Sequence, residues 1–234
     1  DNSLPWLQGD QFDAVMNYEF AMPVWNYFKK EEKGSFTYSA KEFRNGVSKV
    51  LTSYPRHVAR NMFNLLESHD TERILNRTNG DTDMAKLAYI FLFTFPGAPC
   101  VYYGGEIGMG GGEHSNRQCM IWEKTGQNQE LSQFVQEMIE LRKEHDSFRS
   151  AQFQWLNQEG TEDCLFFKKT GEKEMLYVFM QKEGKRHTYP VPLELRGKEC
   201  VDCICKEKIS LGETFELNRN GYQIYLLPDL EQKS

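Results

Sequence analysis

Hydrophobic and polar positions divide the chain near residue 151. Before that point, short apolar runs alternate with longer stretches of helical periodicity; after it, short alternating runs are separated by Gly, Asn and charged turns. In the first part, residues 12–18 (FDAVMNY) predict a strand. Residues 41–54 predict an amphipathic helix with Phe43, Val47, Val50 and Leu51 inward, closed by Pro55. A second strand is expected over 62–66. Residues 81–95 form the next helix, capped by Asp81 or Thr82, apolar on almost every side and ended by Pro96. Residues 100–103 (CVYY) read as a third strand, continuously apolar like those of a parallel sheet covered on both faces. A last helix covers 130–148, with Leu131, Phe134, Val135, Met138 and Leu141 at the expected spacing.

Strand and helix thus alternate three times, the repeat of a parallel α/β sheet or barrel. Three units are too few to close a barrel of eight strands and about 250 residues. Left open, such a sheet would carry two apolar edges, so either further chain lies upstream or a partner, for instance a second copy in a homodimer, covers them. Residues 152–234 read as an antiparallel β-sandwich, with strands at 164–168, 175–181, 187–193, 201–206 and 222–227. Gly171, Gly184, Gly197, Gly212 and Gly221 fall in the turns. The expected organisation is α/β over 1–151 followed by all-β over 152–234.

Composition narrows the classes. With 234 residues, 39% of them hydrophobic and 13% aromatic, the chain has ring surface for a core and for a ligand platform as well. Its net charge of −6, without a basic cluster, argues against nucleic acid and anionic membranes as partners. No run approaches the roughly 18 to 20 apolar residues of a membrane span. The chain opens on Asp1 rather than Met, with no basic-then-apolar leader, so that residue reads as an artificial or processing boundary. Six cysteines in a chain too large to need disulfide staples favour reduced thiols and the cytoplasm. Cys200, Cys203 and Cys205 form C-x-x-C-x-C, but zinc needs a fourth ligand and no second paired motif exists. These are expected to be strand residues, with Cys203 and Cys205 on one face and Cys200 on the other. No metal or cofactor is called for.

Two segments carry candidate chemistry. Glu67-Ser68-His69-Asp70-Thr71-Glu72-Arg73 directly follows the second strand, where parallel sheets bind their ligands. Asp, His and Arg together can make charge-assisted hydrogen bonds to vicinal hydroxyls; a turn that satisfies itself locally is the competing reading. After the third strand comes Tyr102-Tyr103-Gly104-Gly105-Glu106-Ile107-Gly108, in which Tyr rings can stack on a sugar and Gly lets the chain turn close to it. A phosphate cradle fits poorly, because no Lys-Ser/Thr pair follows. Trp25 and Trp122 are further candidate platforms, whereas Trp155 and the Phe91, Phe93, Phe95 run read as core.

NLLESHDTER, then KLAYIFLFTFPGAPCVYYGGEIGM, then NRQCMIW resembles the last part of the catalytic barrel of the α-amylase family of glycoside hydrolases (family 13). The branch it most resembles is that of neopullulanases and cyclomaltodextrinases. PWLQGDQFDAVMNYEF is similar to the loop and sixth strand of that branch, and the likeness covers roughly residues 4–145. The resemblance implies strands six to eight of a (β/α)8 TIM barrel followed by the family's C-terminal β-sandwich. It also implies a retaining mechanism in which a nucleophilic Asp and an acid/base Glu, on strands upstream of Asp1, form the reacting pair. Asp70 matches the third carboxylate, which holds the sugar hydroxyls as the transition state forms; His69 matches the adjacent His, and Arg117 and Tyr103 are further candidate substrate contacts. Arg73 matches a less central position, where a structural role competes with binding.

Two departures concern the donor side of the cleft. The family often has Asp where Gly105 stands, and His114-Ser115-Asn116-Arg117 is one residue shorter than the related stretch, leaving Arg117 without its acidic partner. His114 reads as a solvated loop residue. The expected substrates are maltooligosaccharides, cyclodextrins or pullulan, cut at α-1,4 bonds with α-1,6 bonds as a further candidate. The isolated chain is expected to be inactive. The alternative is a non-catalytic glucan-binding or interaction module.

Overall fold

The computed structural model describes residues 3–31, 36–182 and 185–228. It consists of two compact units, Asp1–Glu140 and Leu141–Ser234.

The first unit is built on a parallel three-stranded sheet in the order β1 (Met16–Asn17), β2 (Phe63–Leu65), β3 (Ala98–Cys100). Between β1 and β2 lie α1 (Tyr18–Phe28), α2 (Ala40–Ser53) and α3 (Arg56–Ala59). Between β2 and β3 lie α4 (Ile74–Arg77) and α5 (Thr82–Thr94). After β3 the chain runs through a long loop into α6 (Gln129–Glu144).

Local chemistry explains most of these boundaries. Asp81 caps α5 by accepting from the Met84 amide at 3.0 Å, and Pro96 prevents its continuation. Ser39 and Glu42 cap α2 reciprocally. Every residue of α5 from Met84 to Thr94 is buried, as its all-round apolar pattern requires. Its Phe91 stacks on Phe20 of α1 and packs edge-on to Phe43 of α2. Gly46 of α2 lets α1 approach closely: a Cβ there would lie 3.0 Å from Pro23.

Three sequence expectations need correction here. The strand over 12–18 shrinks to two residues, because Asn17 turns the chain into α1 by accepting from the Phe20 amide at 3.1 Å. That helix, with Pro23 inside it, was not expected. The third strand lies earlier than 100–103, so Tyr102 and Tyr103 stand beyond its carboxyl end.

In the second unit a short helix, α7 (Asp146–Arg149), precedes the strands; the helix expected over 130–148 is broken at His145, whose backbone is extended. The strands are β4 (Phe153–Trp155), β5 (Leu165–Thr170), β6 (Glu174–Met180), β7 (His187–Pro190), β8 (Glu199–Asp202), β9 (Lys208–Ser210), β10 (Thr214–Leu217) and β11 (Tyr222–Pro228). An antiparallel sheet β4-β5-β6-β11-β8-β9 and the pair β10-β7 share one core, to which Phe166, Phe179, Tyr189, Phe215 and Tyr225 contribute rings. Trp155 packs edge-on to Phe153 and Phe167. Strands β4, β9 and β10 were not expected; each is only three or four residues long, too short for alternation to show.

β8 ends at Asp202, whose carboxylate accepts from the amides of Ile204 and Cys205 at 2.8 and 3.1 Å. The shared strand face expected for Cys203 and Cys205 therefore does not exist: Cys203 is buried and Cys205 exposed, both in the turn. All six cysteines carry thiols rather than disulfides. Gly184 lies outside the described residues. Among the described residues, no helix is long and apolar enough to cross a membrane.

Candidate active site

The carboxyl ends of the three parallel strands converge on one set of loops. Past β1 stands Tyr18, whose hydroxyl lies 3.3 Å from Ser68 Oγ, just past β2. The turn at 68–71 closes on itself: the Ser68 amide donates to Thr71 Oγ1 (2.9 Å), the Asp70 amide to Ser68 Oγ (3.1 Å), and the Thr71 amide to the Ser68 carbonyl (3.3 Å). These bonds set the shape of the turn, which presents His69 and Asp70 outward, with side chains 62% and 57% exposed.

His69 Nε2 lies 3.1 Å from Asp70 Oδ2, and Arg117 Nη2 donates to Asp70 Oδ1 at 3.2 Å. Arg117 Nε also donates to the His69 carbonyl at 2.9 Å. Arg117, expected to lack an acidic partner, has one in Asp70. Two Asp70 oxygens are thus oriented by cationic or polar neighbours while the group stays open to solvent, an arrangement suited to accepting hydrogen bonds from a polyhydroxylated ligand.

Behind this open face lies a buried polar layer. Arg73 is completely buried. Its Nη1 donates to the Tyr103 carbonyl (2.8 Å) and its Nε to the Asn116 carbonyl (3.1 Å), and its guanidinium lies under the rings of Tyr102 and Tyr103. Of the two roles open to Arg73, the structure shows the structural one. Glu67, also buried, accepts from the Ile74 amide at 2.6 Å through Oε2. Its Oε1 lies 3.5 Å from Arg73 Nη1 without a hydrogen bond. Burial pushes the Glu67 carboxyl up to about 7, against the lowering effects of the Ile74 amide and Arg73.

Tyr103 is half exposed at the rim, its ring edge-on to Tyr102 and its hydroxyl donating to the Gln118 carbonyl at 2.5 Å. Arg73 occupies space against this ring, so only its remaining surface can meet a sugar. Trp122 is the most open of the ring candidates, at 78% exposure, and His114 is exposed as expected. Trp25 is no platform: its indole donates to the Leu66 carbonyl and the Arg77 guanidinium covers its ring at 4.5 Å.

Sequence reasoning gave no role to Asn116 or to Glu67, both of which are buried. Both sit beside residues that drew attention, but their partners lie across the loops and leave no local pattern. Among the described residues, no group of three or more His, Cys, Asp or Glu side chains is placed to hold a metal ion.

A parallel sheet with helical crossovers, carrying a His-Asp pair at its carboxyl edge, fits part of an α/β barrel, whose ligands bind at that edge. The profile of the α-amylase catalytic domain matches residues 1–188, and the chain belongs to that family. Over 210 residues it is 39% identical to a cyclomaltodextrinase of Geobacillus thermopakistaniensis (strain MAS1), covering 89% of this chain and 35% of the relative. A maltogenic alpha-amylase of Bacillus acidopullulyticus is 36% identical over 228 residues, 95% of this chain and 38% of the relative. The solved structure of a cyclomaltodextrinase superposes with a TM-score of 0.86 at 33% identity, over 98% of this chain and 39% of that one. The chain thus spans little more than a third of the length of the curated relatives it matches.

Proposed function

We propose that this chain is part of a retaining α-glucan hydrolase that cleaves α-1,4 bonds, with α-1,6 bonds as a further candidate, in maltooligosaccharides, cyclodextrins or pullulan. The observation that carries the reading is the His69–Asp70 pair at the carboxyl edge of β2, tied to Arg117, in a chain of the α-amylase family. In this reading residues 1–151 supply strands six to eight of a (β/α)8 barrel, and residues 152–234 are the C-terminal β-sandwich. Asp70 stabilises the transition state by gripping ring hydroxyls more tightly as positive charge develops at the anomeric carbon. His69, Arg117 and Tyr103 bind substrate.

The nucleophilic Asp and the acid/base Glu belong to a preceding part of the barrel, with which this chain would have to be joined. The wide exposure of His69, Asp70 and Arg117 supports a cleft with a further wall. The name of one relative, an intracellular maltogenic amylase of Bacillus subtilis, supports a cytoplasmic setting. The test is an assay of the purified 234-residue chain on maltooligosaccharides, cyclodextrins and pullulan. No turnover is expected; hydrolysis that Asp70→Asn abolishes would show that the chain needs no outside nucleophile and would overturn this assignment.

A further inference from the structure

The turn that carries His69 and Asp70 is fastened from outside by two consecutive side chains, of which the buried one, Asn116, makes most of the backbone contacts. Asn116 is 1% exposed, and its Nδ2 faces three backbone carbonyls of that turn: Thr71 at 2.7 Å, His69 at 3.0 Å and Ser68 at 3.2 Å. Carbonyls only accept, so the amide can meet them only through its N–H groups, which fixes its orientation. Asn116 is itself held in place, because its carbonyl accepts from Arg73 Nε and the Arg73 amide donates to the Gly111 carbonyl at 2.9 Å. The next residue is Arg117, which reaches Asp70 and shares the His69 carbonyl with Asn116.

We propose that Asn116 is a positioning residue for Asp70 and His69, its buried amide fixing the backbone of their turn while its place in the chain delivers Arg117 to Asp70. The Asp70 carboxylate, 57% exposed, is held by Arg117 and His69, and both depend on where the turn and the chain at Asn116 sit. The turn's own hydrogen bonds set its shape, and Asn116 sets where that shape sits relative to the loop after β3. Losing the amide would leave the Thr71 carbonyl short of a donor and the Ser68 and His69 carbonyls with one each, loosening the turn, whose misplacement by about 1 Å suffices to cost a reaction on the order of a hundredfold.

The test has two arms, of which the kinetic one rests on the hydrolase reading above. In the 234-residue chain, Asn116→Ala should speed amide exchange at Ser68, Asp70 and Thr71 by about tenfold or more, with α5 changed by less than about twofold. Unchanged exchange in the turn overturns the proposal, and so does an equal loss of protection in α5, which would make Asn116 a general stabiliser. If the Ala variant does not fold, Asn116→Ser, which keeps one donor, should give a smaller acceleration confined to the same turn; none, or one spread through α5, overturns it. In the longest native form that hydrolyses an α-glucan, the same substitution should lower kcat by about tenfold or more while KM moves less than about threefold. A raised KM with kcat kept overturns the proposal. If that parent form hydrolyses no α-glucan, the hydrolase reading fails, and the exchange result alone decides the positioning role.

Discussion

Glu67 places its Oε1 in the space that a side chain on Gly105 would need: a Cβ built there would overlap this oxygen and lie 2.8 Å from the Tyr89 hydroxyl. A carboxylate at the end of β2 and the absence of a side chain after β3 are therefore one structural feature. It provides the acidic neighbour that the completely buried Arg73 has at 3.5 Å.

Gly105→Ala should accordingly destabilise the first unit by about 1–3 kcal/mol, as overpacking of a filled interior does. In a Glu67→Ala background the overlap with Oε1 disappears and only the approach to the Tyr89 hydroxyl remains. The double variant should then be more stable than the two single losses added together predict, by about 1 kcal/mol or more. Urea unfolding of the four proteins measures this; strict additivity would contradict the shared space.

The same burial makes stability depend on pH. Glu67 is raised from 4.5 to about 7 by burial, with Glu106 adding to the rise and the Ile74 amide, Arg73 and Arg77 opposing it. A carboxyl raised in the folded state binds its proton more readily there than when unfolded. Its unfavourable contribution is absent below about 4.5, grows as pH rises through the window to about 7, and is complete above it. The full effect is on the order of 3 kcal/mol. Urea midpoints at about pH 5 and about pH 8 should show the loss in the parent chain and a flatter response in Glu67→Gln. Equal slopes in the two proteins would contradict it.

In the second unit, Lys169 is completely buried and donates to the Phe148 carbonyl, which also accepts from Arg142 Nη1 at 2.8 Å. Burial, reinforced by Arg142, lowers the Lys169 amine well below its ordinary value. The folded chain holds this proton less tightly than the unfolded one, so the penalty on folding stands at low pH and shrinks as pH rises toward 10.5. Lys169→Met leaves the carbonyl its Arg142 donor, and it should stabilise β5 and β6 by about 1 kcal/mol or more at neutral pH. Slower exchange of their amides would show this; faster exchange at neutral pH would contradict it.

What the sequence made legible follows from the range of the interactions involved. α5 is found within a residue at each end, because Asp81 and Pro96 act on their own neighbours. β2 lies inside its expected span for the same reason: an apolar run ends where a charged turn begins. α1 escaped because Pro23 interrupts its pattern and the run before it alternates like a strand. At the site, His69 and Asp70 could be singled out from their place after a strand. The Arg117–Asp70 pair, the Asn116 clamp and the Glu67–Gly105 packing each join separate loops, and only the folded chain brings them together.

The central claim is that Asp70 serves a retaining α-glucan hydrolase. Its most direct test is to follow the products of the longest native form of the protein on a maltooligosaccharide by NMR, beside the Asp70→Asn variant. The account predicts products released in the α-configuration, and a kcat lowered by about a hundredfold or more in the variant. Turnover that survives Asp70→Asn, or products of the β-configuration, would contradict it.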